Sequence, residues 1–383
     1  MDVMDQAGNE ITLDLTGTPL RRTVLAMGAD MKNAVAVGTD RQVWLSPVIG
    51  SLDTAETVER FEHAARSLPD RLGITPDTIA IDLHPDMQAS RFGRKLAKDL
   101  NLPLVEVQHH HAHAAACLAE NGVRAGHVLV MDGTGWGGDG TIWGSELLDV
   151  QDEGTVRRTA SYVPVPLPGG DAAVRRPARQ VIGRWVQAGL PLTDQRLATL
   201  GVTPEEADVW GLQCRRQVNA PLTHSTGRLF DAFCAVLNLA PRTITYEGEP
   251  AIRLEAAARE WRGGDIPVLP FDIREENGLL LIDWAPAFLM LSDLKEARQD
   301  SRRWAMAVHV AIARAAGIMI ESVVSRDVVK CVGLSGGVFM NRILNDLLDQ
   351  HLDRFGITAL RHRKTLPGDG CIALGQVVVA GWV

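Results

Sequence analysis

A chain of 383 residues, 46% hydrophobic and 22% charged, has the composition of an ordinary globular protein and the length for two or three domains around a sizeable core. Its formal net charge of -8 excludes a broad basic surface, so no nucleic-acid partner is expected, and only a local patch such as Arg175, Arg176 and Arg179 stands against that balance. Five scattered cysteines with no CxxC pair exclude a zinc ribbon and suit reduced thiols; with no leader pattern at the amino terminus, and no apolar run read as reaching the roughly 20 residues of a membrane span, the expected setting is cytoplasmic, without a membrane partner.

Residues 23–37, TVLAMGADMKNAVAV, predict a strand, a tight turn and a second strand, and 43–46 predict a third, together a β-meander. Within the turn Gly28 lets the backbone approach a ligand, while Lys32 and Asn33 offer a cation and an amide to a phosphate; a plain hairpin tip fits the same residues. Val58, Phe61, Ala65 and Leu68 fall at helical spacing in a helix over 54–68. A buried strand over 78–83 then runs into His84, which could reach a cleft at the strand end but reads first as a hydrogen-bonded turn histidine, and is followed by a helix over 89–100 and a strand over 103–107.

The stretch 107–146 organises the rest of the chain. His109 and His113 open an Ala-rich helix four residues apart, so both imidazoles project from one face at a spacing metal ligands use; solvated or helix-capping histidines fit as well. His110 and His111 are expected to point elsewhere, as supporting or surface groups. An apolar strand over 127–131 ends at Asp132, and Gly133, Thr134, Gly135, Gly137 and Gly138 follow as a glycine-rich turn. A carboxylate thus stands at the mouth of a loop whose amides can face an anion. Metal ligands and a phosphate cradle are expected to share one cleft.

A second meander follows, with strands over 141–150 and 157–163. Residues 167–185 read as a glycine turn entering one helix, with Asp171 near its start and the three arginines on its first turns. Short helices fill 191–222, and helices opening at 226 and near 246 place Asp231 and Glu247 near their starts, as ribose-binding or as capping carboxylates. A hairpin over 266–283 and a long amphipathic helix over 303–324 lead to VVKCVGLSGGVFMNRIL (328–344), which repeats strand, glycine turn and helix, with Gly336 and Gly337 in the turn and Asn341 on the helix. Asp369 precedes a closing helix. A meander opening each half predicts two α/β lobes, 1–126 and 127–383, with a cleft between them and the last helix able to pack back on the first lobe.

In this order GADMKN, VQHHHAHAA, DGTGWGGDGTIWGSE, LPGGDAAVRRPAR, STGRLFDAF, YEGEPAIRLE, LSGGVFMNRIL and PGDGCIALGQ resemble the C-terminal, Kae1-like half of the hydrogenase-maturation carbamoyltransferase family HypF, over about residues 23–380. The resemblance implies a two-lobed α/β fold of the ASKHA type, that of actin, Hsp70 and sugar kinases, with a nucleotide and metal cleft between the lobes. It implies that His109, His113, Asp132 and Asp369 are the metal ligands and the catalytic set, holding iron or zinc with magnesium as a substitute. Lys32, Asn33, Gly133, Gly135, Asp231, Glu247, Gly336, Gly337 and Asn341 are implied to surround the nucleotide, ATP or carbamoyl adenylate.

The implied reaction moves a carbamoyl group from carbamoyl adenylate to the C-terminal cysteine thiol of a HypE-type partner, on the way to a cyanide ligand of the nickel–iron centre. Cys117 and Cys371 are then packing residues rather than nucleophiles. Complete family members also carry a YrdC-like domain that forms carbamoyl adenylate, an acylphosphatase-like domain and zinc fingers. None of these is visible, so the expectation is either the carboxyl-terminal half of a longer protein or a stand-alone version supplied in trans. Ser145, His224, Gly368 and Cys371 depart from the family pattern at motif edges, not at the metal ligands. Three other readings fit the sequence: an O-carbamoyltransferase acting on a small-molecule hydroxyl, a tRNA threonylcarbamoyl transferase and a non-catalytic nucleotide-binding subunit. The acidic balance and the Lys32-Asn33 turn argue against the second, and four intact ligand candidates against the third.

Overall fold

The computed structural model describes residues 9–382 except 16, 18, 153, 294 and 325–329. Its first part comprises β1 (Ile11–Asp14), β2 (Val24–Ala26), β3 (Ala36–Thr39), β4 (Gln42–Leu45), α1 (Ala55–Leu72), β5 (Thr78–Asp82), α2 (Gln88–Leu100), β6 (Leu104–Val107) and α3 (His109–Glu120). These strands form a six-stranded sheet of order β1-β4-β3-β2-β5-β6, antiparallel through the meander and parallel from β2 to β5 and β6. The sequence reading lacked β1, whose four residues bury only Leu13 and so carry little alternation to read.

The second part begins with β7 (Gly126–Trp136), β8 (Ile142–Val150), β9 (Val156–Tyr162) and β10 (Val165–Pro166). Next come α4 (Asp171–Arg175), α5 (Pro177–Gln187), α6 (Asp194–Leu200), α7 (Pro204–Arg216), β11 (Leu222–Thr223), α8 (Thr226–Val236) and α9 (Glu249–Arg259). The remainder is β12 (Asp272–Glu276), β13 (Leu279–Asp283), α10 (Ala285–Asp293), α11 (Lys295–Gln299), α12 (Ser301–Val324), β14 (Cys331–Ser335), α13 (Arg342–Arg354), β15 (Thr358–Leu360) and α14 (Ile372–Trp382). The second sheet has nine strands, its main path running β12-β13-β9-β8-β7-β14-β15.

Alternation along β2 divides the first core in two: Leu25 and Met27 face α1 and α2, while Val24 and Ala26 face α3 and α14. Helix α3 is buried between the two sheets. Its Ala112, Ala115, Ala116 and Ala119 join the cluster on the first sheet, and Ala114 and Leu118 join Val128, Val130 and Leu148 of the second. An alanine-rich surface lets both sheets come close, which fixes His109 and His113 where the two halves meet. Helix α14 packs on α3 and on β2 and β3 of the first sheet.

Four expectations need correction. Strand β7 does not end at Asp132: its ladder with β8 breaks between Met131 and Gly135 and resumes at Gly135↔Trp143 and Trp136↔Ile142, so 132–134 form a bulge and the turn lies further on. The helix expected within 167–185 is two, because Pro177 forces Arg176 into an extended conformation with φ -127° and ψ 91°. Asn341 is not on a helix but caps one, its side chain accepting from Leu344 N. Residues Ser301–Val323 of α12, 23 residues with mean hydropathy 1.5, have the length and composition of a membrane span, contrary to the sequence expectation; 67% of that stretch is buried in the protein, as a core helix. Residues 328 and 329 of the expected strand lie outside the described residues.

Candidate active site

Gln108 caps α3, its Oε1 accepting from His111 N at 2.8 Å, and starts the helix so that His109 and His113 lie one turn apart on one face. His109 Nδ1–H donates to Asp82 Oδ2 at 2.8 Å, at the end of β5. That fixes the proton on Nδ1 and leaves the Nε2 lone pair aimed away from the strand. His113 Nδ1 lies against Cys371 Sγ at 3.3 Å and Ser335 Oγ at 3.4 Å. Both Nε2 atoms are buried with no hydrogen-bond partner.

Two carboxylates meet these nitrogens. The β7 bulge turns Asp132 inward, where Oδ1 accepts from Gly337 N at 2.9 Å and Oδ2 lies 3.7 Å from His109 Nε2 and 3.9 Å from His113 Nε2. Asp369, in the turn before α14, places Oδ1 3.9 Å from each Nε2. The four ligand atoms lie within 4.8 Å of one another.

This donor set fits a divalent ion. Two neutral imidazoles and two carboxylates balance a 2+ charge and suit zinc or iron. A tetrahedral ion with bonds of roughly 2.0–2.2 Å would hold its ligand atoms roughly 3.3–3.6 Å apart, close to the separations found. The two unpartnered Nε2 atoms face the two carboxylates, as ligand atoms of one ion would.

Protonation in the metal-free site follows from burial and neighbours. Burial pushes Asp369 up, and with Asp132 beside it the carboxyl reaches about 7. Burial also raises Asp132, but His109 and His113 outweigh it and hold that carboxyl well below its ordinary range. His109 loses basicity to burial yet is raised well above its ordinary value by Asp132, Asp82 and Asp369, whereas burial lowers His113 to about 3.

Beside Asp132 opens a cavity of about 310 Å³ at the C-terminal ends of the parallel pair β7 and β14, where open α/β sheets bind ligands. Lys32, Gly133, Asp231, Glu247, Gly337 and Asn341 line it, joined by Gly227, Arg228, Phe230, Ile252 and Met340, which sequence reasoning did not select. Lys32 reaches across from the first part of the chain and pairs with Glu247 at 3.3 Å. Burial lowers its pKa, but Glu247, Asp369 and Asp132 outweigh that and raise it, so the amine stays cationic. Asp231 Oδ2 meets Arg228 at 3.1 Å and Gln180 Nε2 at 3.0 Å.

Three expected nucleotide residues do not line this cavity. Asn33 is fully buried, its Nδ2 donating to Met27 O and Ala29 O to lock the turn. A Cβ at Gly135 would stand 2.2 Å from His110 Cε1, so this glycine makes room for the histidines. Gly336, with φ +99°, lets the backbone pass Met131 O. Nor are His110 and His111 surface groups: both are buried. His110 Nε2 lies 3.6 Å from Glu146, a buried carboxyl pushed up to about 8 that also accepts from the Gly144 and Ser145 amides. His84 is a turn histidine, with Nδ1 accepting from Asp86 N. Arg176 and Arg179 stack on Trp210, at 4.9 and 4.4 Å from its ring centre, rather than forming a free patch. The chief omission is Asp82, which the sequence marks only as an acid closing an otherwise apolar strand, TIAID.

Residues 128–376 match the family described as "Carbamoyltransferase, Kae1-like Domain, second subdomain", and residues 19–120 match "HypF Kae1-like domain". The chain belongs to the HypF Kae1-like family. It is 38% identical over 362 residues to carbamoyltransferase HypF of Rhodobacter capsulatus, covering 93% of this chain but 46% of that one. A carbamoyltransferase HypF homolog of Cupriavidus necator is 35% identical over 367 residues and is covered to 91% of its length. The chain therefore spans about half the length of most of these HypF relatives and nearly all of the shorter one. Among solved structures, full-length HypF in a phosphate- and nucleotide-bound form superposes with a TM-score of 0.85 at 27% identity, over 97% of this chain and 47% of that one. T. kodakarensis HypF matches with the same TM-score at 28% identity. The fold is thus the two-lobed ASKHA-type α/β fold.

Proposed function

We propose that this chain transfers a carbamoyl group from carbamoyl adenylate to the C-terminal cysteine thiol of a HypE-type partner. What carries the reading is the ligand set His109, His113, Asp132 and Asp369 at the mouth of a nucleotide-sized cavity, in a chain of this family. The bound nucleotide form of a HypF relative supports the same use of the cavity.

The partner's thiolate sulfur bonds to the carbamoyl carbon, the bond from that carbon to the AMP phosphate oxygen breaks, and AMP leaves. A divalent ion at the four ligands would act as a Lewis acid on the oxygens that gain charge. Lys32 supplies a positive charge beside the phosphate, and Phe230, Ile252 and Met340 give the nucleoside an apolar wall. Asp82 holds His109 in one orientation, and Gly337 N does the same for Asp132, so neither ligand must reorganise during transfer. The nucleophile comes from the partner, since Cys371 sits buried against His113 with its thiol pushed up by burial, and Cys117 is pushed up to about 12. Free thiols throughout the described residues suit a cytoplasmic setting.

The test is the intact mass of a HypE-type acceptor incubated with this protein, carbamoyl phosphate, ATP, magnesium and a separately supplied YrdC-like domain. A carbamoyl-sized gain at the terminal cysteine, lost with a His109→Ala, His113→Ala double variant, is expected. No gain with an acceptor that a complete family enzyme does modify overturns the proposal.

A further inference from the structure

The two imidazoles of the cluster are held in different ways. His109 has a carboxylate directly on Nδ1. His113 has no carboxylate there; its Nδ1 faces a hydroxyl and a thiol. A connected row of buried polar groups runs on from that hydroxyl. Ser335 Oγ lies 2.8 Å from His362 Nε2, and His362 Nδ1 lies 2.9 Å from Glu120 Oε1. Ser335 is fully buried, and the side chains of His362 and Glu120 are 2% and 0% exposed. None of these three was selected from the sequence, and none lines the cavity beside Asp132.

The carboxylate at one end sets the direction of the hydrogen bonds along the row when His362 is neutral; His362 Nδ1 also lies 2.9 Å from Thr365 Oγ1. Glu120 accepts from the amides of Arg363, Lys364 and Thr365 and from Thr365 Oγ1, so its carboxylate is the acceptor at one end. A neutral His362 then presents Nδ1–H to Glu120, and its Nε2 is left as the acceptor. Ser335 Oγ–H donates to that nitrogen, and its remaining lone pairs face His113 Nδ1. His113 therefore carries its proton on Nδ1, and its Nε2 lone pair points into the ligand cluster.

We infer that Glu120, His362 and Ser335 form a relay of positioning residues that sets the tautomer of His113, the service Asp82 performs directly for His109. Helix geometry makes the relay possible: Glu120 stands seven residues after His113 on α3, two turns along the same face, and the relay spans that gap through β14 and the loop after β15. The end of β14 then sets two ligands at once, with Ser335 on His113 and Gly337 N on Asp132 Oδ1.

Cys371 offers the competing arrangement. If its thiol donated to His113 Nδ1 at 3.3 Å, the proton would move to Nε2 and block the lone pair the cluster needs. The thiol is the weaker donor, and the hydroxyl is already polarised by the relay. The inference rests on the metal reading for its consequence, while its first test does not.

Metal-free protein labelled with 15N-histidine reports each ring tautomer through its two-bond nitrogen–proton couplings; His113 is assigned by its disappearance in His113→Gln. The expected result is the Nδ1–H form in the native protein and in Cys371→Ala, with a shift towards Nε2–H in Ser335→Ala and Glu120→Gln. An Nε2–H form in the native protein, or a shift caused by Cys371→Ala and not by Ser335→Ala, overturns the relay without any variant having to bind metal. In the second arm, Co2+ titrated against a competing chelator should bind about 10- to 100-fold more weakly to Ser335→Ala and Glu120→Gln, with the ligand-field spectrum altered. Native protein that shows the Nδ1–H tautomer yet takes up no Co2+ would sink the metal-ligand reading and leave the relay standing. Unchanged affinity in both relay variants, beside a native protein that does bind, would overturn the relay's role in the site.

Discussion

At the scale of residues, the raised Asp369 and His109 set a pH dependence for the proposed metal site. Ligation needs Asp369 ionised and His109 neutral, but Asp369 is raised to about 7 and His109 well above its ordinary value. Each proton displaced lowers metal affinity roughly tenfold per pH unit below its pKa. Zn2+ affinity measured against a chelator of known pH behaviour should therefore fall by about ten- to a hundredfold between pH 7 and pH 6, and a flat profile would contradict the assignment. Stability of the metal-free protein moves the other way. A raised carboxyl pKa favours the folded state fully below the unfolded value of about 3.8, and that contribution is lost as pH rises through about 7. Thermal unfolding in chelator should accordingly show a lower midpoint at pH 7.5 than at pH 5.5 from this group, and added metal should reverse the trend. Spacing alone left the His109/His113 pair open between ligands and capping groups, and the four-residue set followed from the family resemblance; the structure brings those four together. Asp82, Ser335, His362 and Glu120 were not legible in the sequence, since their partners lie 27 to 245 residues away and only folding brings them together.

Elements place these residues, and α3 does most of it. Strand and helix order was readable from periodicity, as in α1 and β5, where apolar positions repeat at 3.6 residues or fill a short run. The β7 bulge was not readable, because DGTGW carries the glycines of a turn and only cross-strand pairing with β8 decides that it continues as strand. The junction of α3 with α14 was equally hidden. Gly375 has no Cβ because one would stand 1.8 Å from Ala112 O, on the turn between His109 and His113. Gly375→Ala must push the helices apart there, which overpacking places at about 1–3 kcal/mol or more. We expect a lower denaturation midpoint together with weaker metal binding, because the displaced turn carries both ligands. A variant with native stability and native affinity would show that the contact relaxes without moving the histidines.

At the scale of the whole molecule, the proposed metal and nucleotide would hold the same arrangement of lobes. The metal set joins α3, packed between the sheets, to Asp132 of the second sheet and to Asp369, whose turn leads into α14 on the first. The nucleotide cavity joins Lys32 of the first sheet's turn to Glu247 and α9 of the second. If binding at either place draws the lobes together, each ligand meets an arrangement the other has already ordered. Linkage then requires the two effects to be equal: the factor by which metal tightens ATP must be the factor by which ATP tightens metal. Couplings of this kind are typically about 5- to 150-fold. Calorimetric titration of ATP with and without saturating Zn2+, and of Zn2+ with and without ATP, closes the cycle once direct chelation of zinc by ATP is subtracted. Lys32→Ala should shrink the coupling while changing unfolding free energy by less than about 1 kcal/mol, because its ion pair is half exposed. Independent binding of the two ligands, with the product of affinities unchanged, would mean that the cleft is already closed and that metal and nucleotide meet only through substrate.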